Sequence, residues 1–130
     1  MQTYTLIIEL EKDRKIGVGK LGVFNLPRGF YLYTGSGGRN ISARLARHRK
    51  KRGKRLHWHI DYLLRSRHAR IIGVRESSGE ECAVNQAFKR IKGARIPVPG
   101  FGASDCRKDC LSHLIYFKKR PILPSSRPSP

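Results

Sequence analysis

The alternation in residues 3–10, TYTLIIEL, constrains the fold more than any other stretch of the chain. Tyr4, Leu6, Ile8 and Leu10 fall on one side of an extended backbone, the period of two expected for a strand with one buried face. The Thr, Ile and Tyr content agrees, because β-branched and aromatic side chains pack well on a pleated surface. FYLYT (30–34) reads as a second firm strand, with Tyr31 and Tyr33 on one side and Phe30, Leu32 and Thr34 on the other. GSGG follows at once and is expected to break it. Between the two strands, KIGVGKLGVFNLPRG carries glycines at 17, 19 and 22 that punctuate short apolar pieces, so an inserted hairpin is expected.

The period then changes. NISARLARHRKK predicts a helix: Ile41 and Leu45 stand four apart as a core stripe, and Arg44 and His48 stand four apart on a neighbouring face. WHIDYLLRS predicts a second helix and GEECAVNQAFKRIK (79–92) a third, separated by a short β-branched strand, ARIIGVRES (69–77). PVPGFGASDC is a loop, and HLIYF (113–117) is a last strand or a short apolar clasp. The order predicts an α+β fold, a small central antiparallel or mixed sheet flanked by helices. One domain is expected over 1–118, which is enough chain for a single modest core. The basic, Pro- and Ser-rich tail over 119–130 is expected to be disordered.

Charge narrows the function. The chain has 28 Lys and Arg against 9 Asp and Glu, a net charge of +19. Such self-repulsion calls for a polyanionic partner, DNA first and RNA second. Nine of the cations fall within residues 39–55, with no acid among them. Arg39, Arg47, Arg49, Lys50, Lys51, Arg52, Lys54 and Arg55 are therefore candidate nucleic-acid contacts, reading backbone or structure rather than base sequence. No apolar run approaches the ~20 residues that span a bilayer, so no membrane partner is expected. The N-terminus lacks the order of a signal peptide, and three cysteines (Cys82, Cys106, Cys110) do not suit a secreted disulfide scaffold. Both point to the cytoplasm.

The glycines after Tyr33 do not form a nucleotide loop. GSGGRN lacks the lysine and hydroxyl of GxxxxGK[ST], and no glycine stands at position 40 to complete GxGxxG. What remains is a strand, a glycine turn and a helix whose free N–H groups would point back toward Tyr33, a place that suits a phosphate.

YTGSGGRNISARLARH resembles the second half of the GIY-YIG nuclease motif, with Tyr33-Thr34-Gly35 in place of YIG and with Arg44 and His48 on the following helix. The first half matches Gln2-Thr3-Tyr4 rather than Gly29-Phe30-Tyr31, because the two halves of the motif lie on adjacent strands. Gln2 replaces a glycine there, and 28 residues separate Tyr4 from Tyr33, a long interval that the inserted hairpin accounts for. The chain is more closely similar to a small basic branch of that superfamily, sometimes joined to a base-excision endonuclease, through HWHIDYLL and PVPGFGASDC…SHLIYF. The resemblance implies an endonuclease that hydrolyses DNA phosphodiester bonds in repair or recombination. Tyr4 would be the base, Tyr33 and His48 would position water or phosphate, and Arg44 would hold the scissile phosphate. Glu81 would hold Mg²⁺ or Mn²⁺, with Glu80 and Glu76 as competitors. The alternatives are a non-catalytic DNA- or RNA-binding module of the same fold and an RNA-associated structural protein.

Two further clusters compete as metal sites. In the first, His57-Trp58-His59 with Asp61, the two histidines are about 200° apart on a helix and cannot grip one ion, so Trp58 in the core and two histidines in polar contacts are expected. Cys106, Cys110 and His113 form C-x3-C-x2-H, with Cys82 or Asp105 as a fourth ligand. That spacing departs from the usual paired zinc pattern, and reduced thiols are expected rather than Zn²⁺ or a Cys106–Cys110 disulfide.

Overall fold

The alternating segment 3–10 becomes β1 (Gln2–Leu10), an inner strand of a four-stranded sheet. A computed structural model of the chain describes residues 2–38, 40–51, 56, 58–78, 81–102 and 112–123. The hairpin expected between the two firm strands is present as β2 (Arg14–Gly17) and β3 (Val23–Leu26), a separate two-stranded sheet. β4 (Gly29–Gly38) then pairs antiparallel with β1, placing Leu6 opposite Tyr33 and Tyr4 opposite Gly35.

Two helices follow, α1 (Ile41–Arg49) and α2 (His59–Leu64), then β5 (Ala69–Ser78), α3 (Glu81–Lys89) and β6 (Leu114–Phe117). HLIYF is thus a strand rather than a clasp. The sheet order is β5-β1-β4-β6 with every pair antiparallel, and the fold is α+β with helices on the sheet.

The two faces of the sheet are filled separately. On one, Tyr4, Leu6, Ile8, Leu10, Tyr31 and Tyr33 meet Ile60, Leu63 and Leu64 of α2 and the loop residues Val98 and Phe101. Ile41 and Leu45 of α1 pack against this cluster as the helical spacing predicts. On the other, Leu32, Ile115 and Phe117 meet Phe88 of α3. Each fully buried aliphatic side chain contributes about 1.5–3 kcal/mol, so this two-sided burial holds the layers together.

Three expectations change. GSGG does not end the strand: β4 continues to Gly38. Gly35 is needed there because the Tyr4 ring crosses it, and a Cβ at Gly35 would lie 2.6 Å from the Tyr4 hydroxyl. The glycine answers a close approach rather than a turn. α3 spans 81–89 instead of 79–92; after it, Arg90 and Ile91 bond back three residues and Gly93 takes φ 91°. That turn brings Arg95 beside β6, where it exchanges two backbone hydrogen bonds with Tyr116. Trp58 is half-buried, packed on the core rather than within it. Among the described residues, no helix is long and apolar enough to cross a membrane.

Candidate active site

Because β4 runs on to Gly38, α1 begins beyond the sheet and returns along it. Asn40 caps the helix by accepting from the Ala43 N–H at 3.0 Å, a usual role for Asn. The consequence corrects the expected phosphate site: Tyr33 meets the last turn of α1, not its N-terminus. His48 lies 6.3 Å from Tyr33 and 5.5 Å from Tyr4, ring centre to ring centre.

Four separate elements supply this cluster. Tyr4 (β1) and Tyr33 (β4) are 6.5 Å apart, and the Tyr4 hydroxyl is 2.7 Å from His48 Nε2 (α1). Arg44, one turn before His48, donates to the Ser36 carbonyl at 2.8 Å and stacks over Trp58 at 4.9 Å. Glu81 opens α3, and its carboxylate is near enough to act electrostatically on both tyrosines.

Burial governs the chemistry available. It pushes the Tyr4 hydroxyl up to about 12, while Arg44 pulls it down and Glu81 adds to the rise. Burial likewise raises Tyr33, and proximity to the acidic groups of Tyr4 and Glu81 adds to the rise. Both phenols are therefore neutral at ordinary pH. Tyr4 and His48 are each only 1% exposed, whereas the Glu81 side chain is 30% exposed.

Glu81 is held from behind by a residue that the sequence grouped with the cysteines. His113 Nδ1 lies 3.0 Å from Glu81 Oε1, and its Nε2 lies 3.8 Å from Cys82 Sγ. A ring that meets its two neighbours on opposite nitrogens orients a carboxylate and does not converge with it on one ion. Asp105, Cys106, Cys110, Glu80 and His57 lie outside the described residues. Glu76 is exposed on β5, across the strands from Tyr4. His59 Nδ1 accepts from the Gly102 N–H at 2.8 Å, and burial lowers its pKa.

The basic run divides by use. Arg47 forms two hydrogen bonds, 2.7 and 2.9 Å, to the fully buried carboxylate of Asp61, which also accepts from the Trp58 N–H. Its guanidinium lies over Trp58, 4.4 Å from the ring centre. Lys51 donates to the carbonyls of Leu64, Ser66 and Ala69, closing the end of α2. These two cations are spent inside the fold. Arg49 and Lys50 are exposed, and Arg39, Arg52, Lys54 and Arg55 lie outside the described residues.

Asp61, Trp58 and His113 were singled out in the sequence, but their roles in supporting the site were not read from it. For Asp61 a signal existed, since an acid three residues into a helix start is a capping pattern. For His113 none existed, because its partner is 32 residues away.

A family model described as a domain of unknown function, DUF123, matches residues 3–126. No curated protein and no solved structure matches the chain.

Proposed function

The chain belongs to the DUF123 family of unknown function, and from its geometry we propose a nucleic-acid-binding protein that hydrolyses phosphodiester bonds with a divalent metal ion. One observation carries the reading: Tyr4, Tyr33, Arg44, His48 and Glu81, drawn from four elements, gather at one end of the sheet. The finer relationship to GIY-YIG nucleases belongs to the same proposal. It is supported by Tyr4 and Tyr33 standing on adjacent antiparallel strands, as that motif requires.

The residues fit a Mg²⁺-type ion. Such an ion takes one or two protein carboxylates and completes its shell with water and phosphate oxygens. Glu81 offers one partly exposed carboxylate with an oxygen fixed by His113. Among the described residues, no three His, Cys, Asp or Glu side chains form a metal-binding group. Mg²⁺ or Mn²⁺ bound there supplies a Lewis acid and a template for the phosphate.

The chain's own residues do the rest. Arg44 presents a planar fork that matches two phosphate oxygens, steadied by Trp58 beneath it and the Ser36 carbonyl beside it. Tyr4 cannot act as a base unaided, since its proton is held up to a pKa of about 12. His48 Nε2, 2.7 Å away, is the place for that proton to go. As water attacks phosphorus, its proton passes to the Tyr4 oxygen and the Tyr4 proton passes to His48. The P–O bond to the leaving group breaks, and the leaving oxygen takes a proton from solvent.

A second reading draws on a specific observation. Tyr4 is 1% exposed, so it reaches a phosphate only if the groups packed on it, His48 and Tyr33 among them, move aside; in a non-catalytic binding module it would simply be core. The test is incubation of the protein with labelled branched and linear DNA in Mg²⁺, Mn²⁺ or EDTA, beside Arg44→Ala and Glu81→Ala. Metal-dependent cutting lost in both variants is the expected result. Binding without cutting under every metal would hand the site to the second reading.

A further inference from the structure

Four cations outside the basic run converge at the opposite end of the sheet. Lys92, Arg95, Lys118 and Lys119 line one cleft of about 500 Å³ together with Tyr116 and Pro27. All four are exposed, and among the described residues none has an ion pair or side-chain hydrogen bond. Arg47 and Lys51 are the opposite case, since both are consumed by Asp61 and by carbonyls. Among the described residues, no acid lines this cleft. The carboxylates of the adjoining groove are engaged elsewhere: Glu9 and Glu11 with Arg70, and Asp13 with the Arg28 N–H.

The cleft is built rather than incidental. Arg95 is pinned beside β6 by its two backbone bonds to Tyr116, and Lys118 and Lys119 follow directly from that strand. The Tyr116 hydroxyl in turn donates to the Arg28 carbonyl at 2.8 Å, which fixes the wall between them. Four unpaired cations held this close repel one another, and a run of phosphates relieves that repulsion.

We propose that this cleft is a second phosphate-backbone site, which grips duplex DNA away from the tyrosine cluster. The inference rests on the nucleic-acid reading above and adds the path of the duplex. Tyr33 pairs with Leu114, and Lys118 and Lys119 lie four and five residues further along the chain, just past the end of β6. At ~3.3 Å per residue this is about 13–17 Å, or about four to five steps of a DNA strand. A duplex seated in the cleft therefore reaches the level of Tyr33 within half a helical turn and, with Ser36 three residues further along β4, Arg44 within one turn.

The experiment compares two triple variants that remove the same charge from exposed positions. Lys92→Gln/Lys118→Gln/Lys119→Gln removes three of the four cleft cations and leaves Arg95, and Lys20→Gln/Arg65→Gln/Arg67→Gln serves as control. Binding to a labelled duplex of about 20 base pairs (about two helical turns) is measured by anisotropy across a salt series. The cleft variant is expected to bind at least ~10-fold more weakly at low salt and to lower the slope of log K against log salt by about 2.7, ~0.9 per lost contact. The control is expected to change both much less. Equal losses in the two triples would mean a diffuse field and overturn the site, as would an unchanged slope in the cleft variant. Absence of any salt-dependent binding by the wild-type protein would instead overturn the nucleic-acid reading, and this inference with it.

Discussion

Tyr31 and Tyr33 stand two residues apart on the same face of β4, and their surroundings differ in kind. The Tyr31 hydroxyl donates to the Pro27 carbonyl, and its ring packs 5.0 Å from Tyr116, whose hydroxyl donates to the Arg28 carbonyl. Both phenols there end on backbone of the turn that leads into the strand. Tyr33 instead faces Tyr4 and His48, with the charges of Arg44 and Glu81 acting on it. Each end even has a glycine beneath a neighbouring phenol, Gly29 under Tyr116 and Gly35 under Tyr4. Burial raises the pKa of both Tyr31 and Tyr33. A perturbed tyrosine is therefore no mark of function by itself. What separates the two ends is the partner set, carbonyls at one and titratable groups from α1 and α3 at the other.

The largest effect that could break this comparison is on cleavage. Arg44→Ala and Glu81→Ala are each expected to lower the cleavage rate by about 10²–10³-fold, the loss typical of removing a group that balances transition-state charge. Tyr31→Phe should leave the rate as it is. Single-turnover cutting of a labelled substrate reads all three. Equal loss at Tyr31 would erase the distinction between the ends.

The next effect concerns stability and separates Arg47 from Arg44 on the same helix. Arg47→Ala takes two charge-assisted hydrogen bonds from the fully buried Asp61 carboxylate. Stranding a buried charge costs about 3–5 kcal/mol, so urea unfolding should shift by that order. Arg44→Ala removes a bond to a carbonyl and a stacking contact, and about 1 kcal/mol is expected.

The third effect is on pH. An unfolded tyrosine titrates near 10, whereas Tyr4 in the fold titrates at about 12. Between those values the native state holds a proton that the unfolded chain has lost, so stability falls as pH rises. The contribution is fully present below about pH 10 and is lost on passing about pH 12, roughly 2–3 kcal/mol in all. Unfolding at about pH 9 and about pH 11.5 should show the decline, and Tyr4→Phe should remove part of it. Tyr31 and Tyr33 act with the same sign, so the remainder is theirs.

Much of the fold was legible because its signals are local. The period of two in 3–10 and the Ile41/Leu45 stripe each predict an element from residues a few positions apart, and both elements form. The Arg44/His48 spacing also placed two side chains of the site on one helix face. What escaped depends on partners far along the chain. GSGG reads as a turn until Tyr4 is known to lie across Gly35. The run from Arg39 to Arg55 reads as one surface until Asp61 claims Arg47 and three carbonyls claim Lys51. His113 reads as a companion of the cysteines until Glu81 is found beside it. The cleft cations are scattered from Lys92 to Lys119, with no run to announce them, and meet only because Arg95 bridges to β6.

The smallest effect returns to Tyr31 and tests the scaffold end directly. Tyr31→Phe keeps the buried ring and its contact with Tyr116 and removes only the hydroxyl that donates to Pro27. The Pro27 carbonyl sits at an exposed residue, where water replaces the lost donor. The expected cost is therefore about 1 kcal/mol, the net value of one hydrogen bond, rather than the larger penalty of a stranded polar group. Urea unfolding of Tyr31→Phe and Tyr116→Phe, alone and together, measures whether the two phenols act as one joint. Losses that simply add would mean two independent ties to the turn. A double variant that loses less than the sum of the singles would mean that Tyr116 and Tyr31 brace a single turn, in keeping with their tilted ring contact and neighbouring acceptors, Pro27 and Arg28.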